Sequence, residues 1–223
     1  MANTIDLTTA INWISTWRRS PDTGVKAFFI PVIDFSSLMQ DKNCIGVRAY
    51  LAFGNTDGNP AEAKLLLVDV EGDINTGGTD NLNNGIYDFT RPCPSYCDVT
   101  SPLYTLDGSG QYPIVPGNTI DIRTAVDWAT QWRLTPDTNV KAFFIPKDDI
   151  TDLLKDSSCI GVRAYLGWGG SDSKNPEAKL MMVNVDGNIN TGGTDNITNG
   201  IFDFTRPCPS YCDVTSSLYT LIP

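Results

Sequence analysis

The chain has 223 residues, 41% of them hydrophobic and 19% charged, with a formal net charge of -10 and no histidine. This is an ordinary globular composition. No basic run is longer than Arg18-Arg19, which excludes general binding to nucleic-acid phosphates, and no apolar stretch approaches the roughly 18 residues of a membrane span.

The decisive feature is a duplication. Asn3 to Leu106 recurs as Asn118 to Leu221 at a constant offset of 115, with 68 of 104 positions identical. The period is far longer than a solenoid repeat, so each copy is expected to be a small domain. The expected division is 1–106, a linker 107–117, and 118–223.

Met1-Ala2-Asn3-Thr4 has neither a charged n-region nor an apolar h-region. No Sec signal peptide is expected, so synthesis is cytoplasmic, with release or non-Sec export the remaining routes outward. Thr9 to Arg18 predicts a helix: Ala10, Ile11, Ile14 and Trp17 follow the 3.6 period, and Pro21 stops it. The second copy repeats the pattern with Ala125, Val126, Ala129 and Trp132. Val25 to Pro31 reads as a short strand ended by proline. A short helix follows, from about Val32 to Gln40, and from Lys147 to Lys155 in the second copy. Phe35, Leu38 and Met39, matched by Ile150, Leu153 and Leu154, give that helix one apolar face.

Cys44 to Phe53 is the clearest strand. Ile45, Val47, Ala49, Leu51 and Phe53 alternate with Gly46, Arg48, Tyr50 and Ala52, which places Arg48 and Tyr50 on a polar face. Ala63 to Val70 is apolar on both faces and predicts a central strand. The fold class expected is α+β: two tandem copies of a small domain, each with two helices packed on a short antiparallel sheet and an irregular Cys-Pro-rich tail.

Two blocks are candidates for chemistry. The first is the acidic turn after the second strand. Asp69, Glu71, Asp73, Asn75 and Asp80, with Asn184, Asp186, Asn188, Asn190 and Asp195 in the second copy, loosely follow the ligand spacing of a calcium loop. Ile74 stands where such a loop needs glycine, and three of the acids change charge or length between copies. The structured-turn reading is therefore favoured over calcium binding. The copies share Ile-Asn-Thr-Gly-Gly-Thr-Asp-Asn, a signature of backbone turns with positive φ.

The second block is the tail. Asp88 to Ser101 recurs unchanged as Asp203 to Ser216. It carries Cys93 and Cys97 (Cys208 and Cys212), which join Cys44 and Cys159 at the strand starts. Three readings stay open: local disulfides Cys93–Cys97 and Cys208–Cys212, reduced structural thiols, or a thiolate metal site, in that order. Arg91 and Arg206 enter the tail, and Arg48 and Arg163 lie on the strong strand. All four are expected in structural ion pairs rather than in anion binding.

Ala27-Phe28-Phe29-Ile30-Pro31, then Asp34 or Asp148-Asp149, then Gly46-Val47-Arg48-Ala49-Tyr50, resembles a group of small uncharacterised bacterial proteins. The resemblance implies one shared domain fold and transfers no catalytic residue.

Without histidine there is no Ser–His or Cys–His couple, and no phosphate loop or dinucleotide fingerprint is present. The expected function is that of a non-catalytic structural or interaction protein that self-associates into a homo-oligomer or filament. No cofactor, nucleic acid or membrane span is expected. Tyr112, Ile114 and Val115 in the linker, and Tyr219 and Leu221 at the end, are the expected self-association residues, in extended apolar segments able to join a sheet edge. The alternative is a binding module for a small ligand or calcium through the turn of each copy.

Overall fold

The computed structural model describes residues 4–5, 27–54, 62–92, 98–107, 119–120, 142–169, 177–207 and 213–220. In the first copy these form β1 (Thr4–Ile5), β2 (Ala27–Pro31), α1 (Val32–Leu38), β3 (Cys44–Gly54), β4 (Glu62–Glu71), β5 (Thr79–Asp80), β6 (Ile86–Tyr87), β7 (Arg91–Pro92) and α2 (Pro102–Thr105). The second copy gives β8 (Thr119–Ile120), β9 (Ala142–Pro146), α3 (Lys147–Leu153), β10 (Cys159–Gly169), β11 (Glu177–Asp186), β12 (Thr194–Asp195), β13 (Ile201–Phe202), β14 (Arg206–Pro207) and α4 (Ser217–Thr220).

The strands build two seven-stranded sheets, and neither belongs to one copy. The first has the order β1-β6-β4-β3-β9-β14, the second β7-β2-β10-β11-β13-β8, with β5 and β12 paired to β4 and β11. The first copy thus contributes its long hairpin β3–β4 to one sheet and its arm β2–β7 to the other. The second copy does the reverse. In the exchanged register Val47 faces Ile145 and Ala49 faces Phe143, matched by Val162 with Ile30 and Ala164 with Phe28. The repeated Ala-Phe-Phe-Ile-Pro sequence serves this exchange. Its alternate residues Phe28 and Ile30 (Phe143 and Ile145) enter the shared core, and Pro31 and Pro146 end the strand where α1 and α3 begin.

One hydrophobic core runs through both copies. Val47, Ala49, Leu51, Leu65 and Leu67 meet Val162, Ala164, Leu166, Leu180 and Met182, and the helix residues Phe35, Leu38, Ile150 and Leu153 join them. The apolar stripe expected for the second helix of each copy is therefore buried as expected. Helix α1 packs on β10 and α3 on β3, so each helix also covers the opposite copy.

The expected α+β class is corrected. The protein is mostly β-sheet, with half-barrel curl. Among the described residues the α-helices are four, none longer than seven residues. The physical reason is the length of β3 and β4, 11 and 10 residues, paired over almost their whole extent. Such a hairpin needs sheet neighbours, and the arm of the other copy supplies them. The helix expected at Thr9 to Arg18 lies outside the described residues. Among those described, no helix is long and apolar enough to cross a membrane.

Candidate functional site

Arg48 and Tyr50 share the polar face of β3 that alternation predicts, and both are 0% exposed. The Arg48 guanidinium donates through Nη1 to Asp80 Oδ1 and through Nη2 to the Gly77 carbonyl. The Tyr50 hydroxyl donates to the other oxygen, Asp80 Oδ2, at 2.6 Å. The second copy repeats the arrangement with Arg163, Asp195, Gly192 and Tyr165. The glycines of the acidic turn are explained by it. Gly77 and Gly78 have φ of 83° and 61°, and a Cβ on Gly78 would lie 2.5 Å from the Glu71 carbonyl oxygen. The turn folds tightly back on β4, and this aims the Gly77 carbonyl at Arg48.

The opposite copy closes each cluster. Asp213 Oδ2 accepts the backbone N–H of Asp80 at 3.1 Å, and Asp98 Oδ2 accepts that of Asp195 at 3.0 Å. The Ser216 side chain stands beside Asp80 and Tyr50, and that of Ser101 beside Asp195 and Tyr165. The Phe29 ring, on the exchanged strand, sits 5.9 Å from the Arg163 guanidinium carbon. Arg91 Nη1 reaches the Ile189 carbonyl and Arg206 Nη1 the Ile74 carbonyl, both at 3.1 Å. The two blocks that the copies kept unchanged, turn and tail, therefore meet across the copies.

Burial pushes the Asp80 and Asp195 carboxyls up, while the paired arginines and the Ser and Tyr hydrogen bonds pull the other way. Burial, and then the adjacent aspartate charge, hold Tyr50 and Tyr165 well above the ordinary tyrosine value. Asp98 and Asp213 differ. Burial raises them, but hydrogen bonds from Thr100 or Thr215, the accepted N–H of the other copy, and the nearby arginine outweigh it and leave them low.

No protein-family model, curated protein or solved structure matches the chain.

Of the four arginines expected in ion pairs, Arg48 and Arg163 form them in burial, while Arg91 and Arg206 donate to backbone carbonyls of the other copy. Asp80 and Asp195 bind Arg48 and Arg163, whereas Asp88 lies 3.5 Å from Lys64 and Asp203 3.4 Å from Lys179. The suggested calcium-loop residues divide among separate tasks. Both oxygens of Asp80 and of Asp195 are taken up by Arg and Tyr. Asp73 Oδ1 accepts from the Asn75 backbone and side chain, and Asn188 Oδ1 from the Asn190 backbone. Asp186 accepts from Asn196 and Ser158. Asp69 and Glu71 share the amide of Asn81, and Asp41 joins them to form a carboxylate trio. Burial, then the charges of Asp41 and Glu71, push Asp69 up to about 6 against hydrogen bonds from Asn84 and Asn81.

Cys44 and Cys159 are buried free thiols, donating to the Gly46 and Gly161 carbonyls at 3.2 and 3.0 Å. Cys93, Cys97, Cys208 and Cys212 lie outside the described residues, as do Tyr112, Ile114, Val115 and Leu221. Tyr219 is in α4, not in an extended segment; its neighbour Leu218 is fully buried, which anchors the helix. Sequence reasoning missed the roles of Asp98, Asp213, Ser101 and Ser216. Their identity in both copies was the available signal.

Beside the second cluster an open cleft of about 470 Å³ lies between the tail of the first copy and the turn of the second. Asp98, Ser101, Pro102, Asn196 and Ile197 are among its walls.

Proposed function

We propose that this chain is a non-catalytic structural protein: a fused, pseudo-twofold building block that self-associates into a homo-oligomer or filament. The observation that carries this reading is the use made of the invariant residues. Arg48, Tyr50 and Asp80, and their counterparts Arg163, Tyr165 and Asp195, hydrogen-bond with one another in burial, and Asp213 and Asp98 tie each cluster to the other copy. A catalytic group must face a reacting molecule; these face each other.

The mode of association proposed is not edge addition. Among the described residues the sheets end in two-residue strands, and β7 and β14 carry Pro92 and Pro207 there, a pattern that blunts edges. Val99 and Val214 are better contacts. They occupy the same tail position in each copy and are 60% and 58% exposed, among the few exposed large hydrophobics of the described residues. Two identical apolar points on one particle suit contact with further copies of the same chain.

Light scattering on a sizing column, with negative-stain microscopy, tests the reading. The expected result is an assembly larger than one chain, reduced to single chains by Val99→Asp with Val214→Asp while the circular dichroism stays unchanged. A single chain at high concentration sinks it.

A further inference from the structure

We propose that the first copy carries a site for one divalent, calcium-type cation, held by the carboxylates of Asp41, Asp69 and Glu71, and that the second copy lacks it. Asp69 and Glu71 stand two residues apart on β4, on one side of the strand, and Asp41 comes from the turn after α1. One oxygen of each lies within 4.8 Å of the others. Oxygens bound about 2.3–2.6 Å from a calcium ion fall within that span.

Proximity of acids is common on protein surfaces. What singles out this trio is Asp69, which is 0% exposed. The carboxylate has the amides of Asn84 and Asn81 beside it, the latter 3.4 Å from Oδ2, yet its buried Oδ1 has no hydrogen-bond partner. Buried carboxylate oxygens are nearly always satisfied.

The second copy shows what this position demands. Asn184 replaces Asp69, accepts from Asn199 at 2.8 Å, and turns its Nδ2 onto the Leu153 carbonyl, with Cys159 Sγ at 3.4 Å. An amide N–H thus faces a carbonyl oxygen there. Asp69 replaces that donor with an oxygen, so the first copy needs a positive partner where the second has an N–H. The remaining acids of the second copy, Asp156 and Asp186, are already bridged by the Ser158 hydroxyl at 2.7 and 3.1 Å. Asn43 stands in place of Ser158 in the first copy.

A lysine of the second copy reaches the same turn. Lys147 Nζ donates to the backbone carbonyls of Met39 and Asp41, at 2.9 and 3.2 Å, and so secures the turn that presents Asp41.

The full chain, stripped with EDTA, is titrated with calcium chloride at pH 7.5 by calorimetry and by thermal melting. The expected result is one site per chain and a melting temperature that rises with free calcium. Asp69→Asn writes the second copy's residue into the first; it should fold, and weaken binding at least about tenfold through the lost ligand charge. Glu71→Gln is the second variant, with the same expected loss. Absence of heat and of any melting shift with calcium, magnesium and manganese overturns the proposal. So does a calcium shift that persists unchanged in both variants. Stabilisation on lowering the pH to 5.5, without any response to metal, assigns the position to a proton and equally overturns it. Association through Val99 and Val214 is read on a separate instrument, so either idea can fail alone.

Discussion

Asp213 accepts a hydrogen bond from the backbone N–H of Asp80 at 3.1 Å, across 133 positions of the chain. The contact is made again by Asp98 and Asp195. In each case the receiving aspartate also holds its own tail turn, through the backbone N–H and hydroxyl of Thr215 or Thr100. One carboxylate therefore orders a tail and ties it to the other copy.

This gives a signed pH dependence. Asp98 and Asp213 are held below the ordinary carboxylate value in the fold, so the folded state binds their protons more weakly than the unfolded chain does. Their contribution is full above the unfolded value of about 3.9 and is lost as pH falls through the lower folded value. The double variant Asp98→Asn, Asp213→Asn should lose about 1–3 kcal/mol per site at pH 7, from weakened charge-assisted bonds. The deficit should shrink toward pH 3. Urea unfolding at both pH values measures it; an equal deficit at both would contradict the assignment.

The clusters beneath these contacts should be costly to break. Arg48→Met leaves Asp80 buried without its cation and the Gly77 carbonyl without its donor. A loss of about 3–5 kcal/mol is expected. Arg48→Lys should recover only part of it, because a lysine cannot present the fork that reaches both groups. Tyr50→Phe, which removes one hydrogen bond to Asp80, should cost about 1–2 kcal/mol. Arg163 and Tyr165 should give matching values. Chemical denaturation with unchanged slope is the measurement.

Local order was legible in the sequence and partnership was not. The strands around Phe28, Val47 and Leu65 follow from alternation, and the helix carrying Phe35 and Leu38 from its apolar spacing. Nothing local distinguishes Phe28 pairing with Ala49 of its own copy from Phe28 pairing with Ala164 of the other, because the copies are identical at these positions. The α+β expectation failed there: a strand that leaves its own copy extends two sheets instead of closing one small one. The partners of Arg48 were hidden for a related reason. Alternation reports which residues share a face, and the groups covering that face, Asp80, Asp213 and Ser216, come from 32 to 168 positions away. The positive-φ turn was readable from its glycines, but its use, aiming a carbonyl at Arg48, was not.

The buried thiols should be inert in the fold. Cys44 and Cys159 are 4% and 8% exposed, and burial is the main cause that pushes Cys44 above its ordinary value. The reactive species is the thiolate. Alkylation of the native chain with iodoacetamide at pH 8, followed by peptide mapping, should leave both unmodified until denaturant is added. Rapid native labelling of Cys44 would mean that the start of β3 opens readily.

The exchange of β2 into the second sheet can be tested at one glycine. Gly161 lies on β10 opposite Pro31, next to the bulge that follows Cys159. A Cβ placed there would sit 2.5 Å from the Phe29 ring and 2.6 Å from the Ile30 carbonyl oxygen. The ring could turn aside, but the carbonyl belongs to the strand itself and can move only if β2 lifts from β10. Gly161→Ala should therefore destabilise the protein by about 1–3 kcal/mol, the usual cost of overpacking. The damage should be confined to the junction. Amide exchange should quicken at Phe28 to Ile30, while the β10–β11 hairpin, whose pairing does not pass through that Cβ, keeps its protection. Unchanged exchange at Phe28 to Ile30, with unchanged stability, would mean that the first copy's arm does not rest on the second copy's strand.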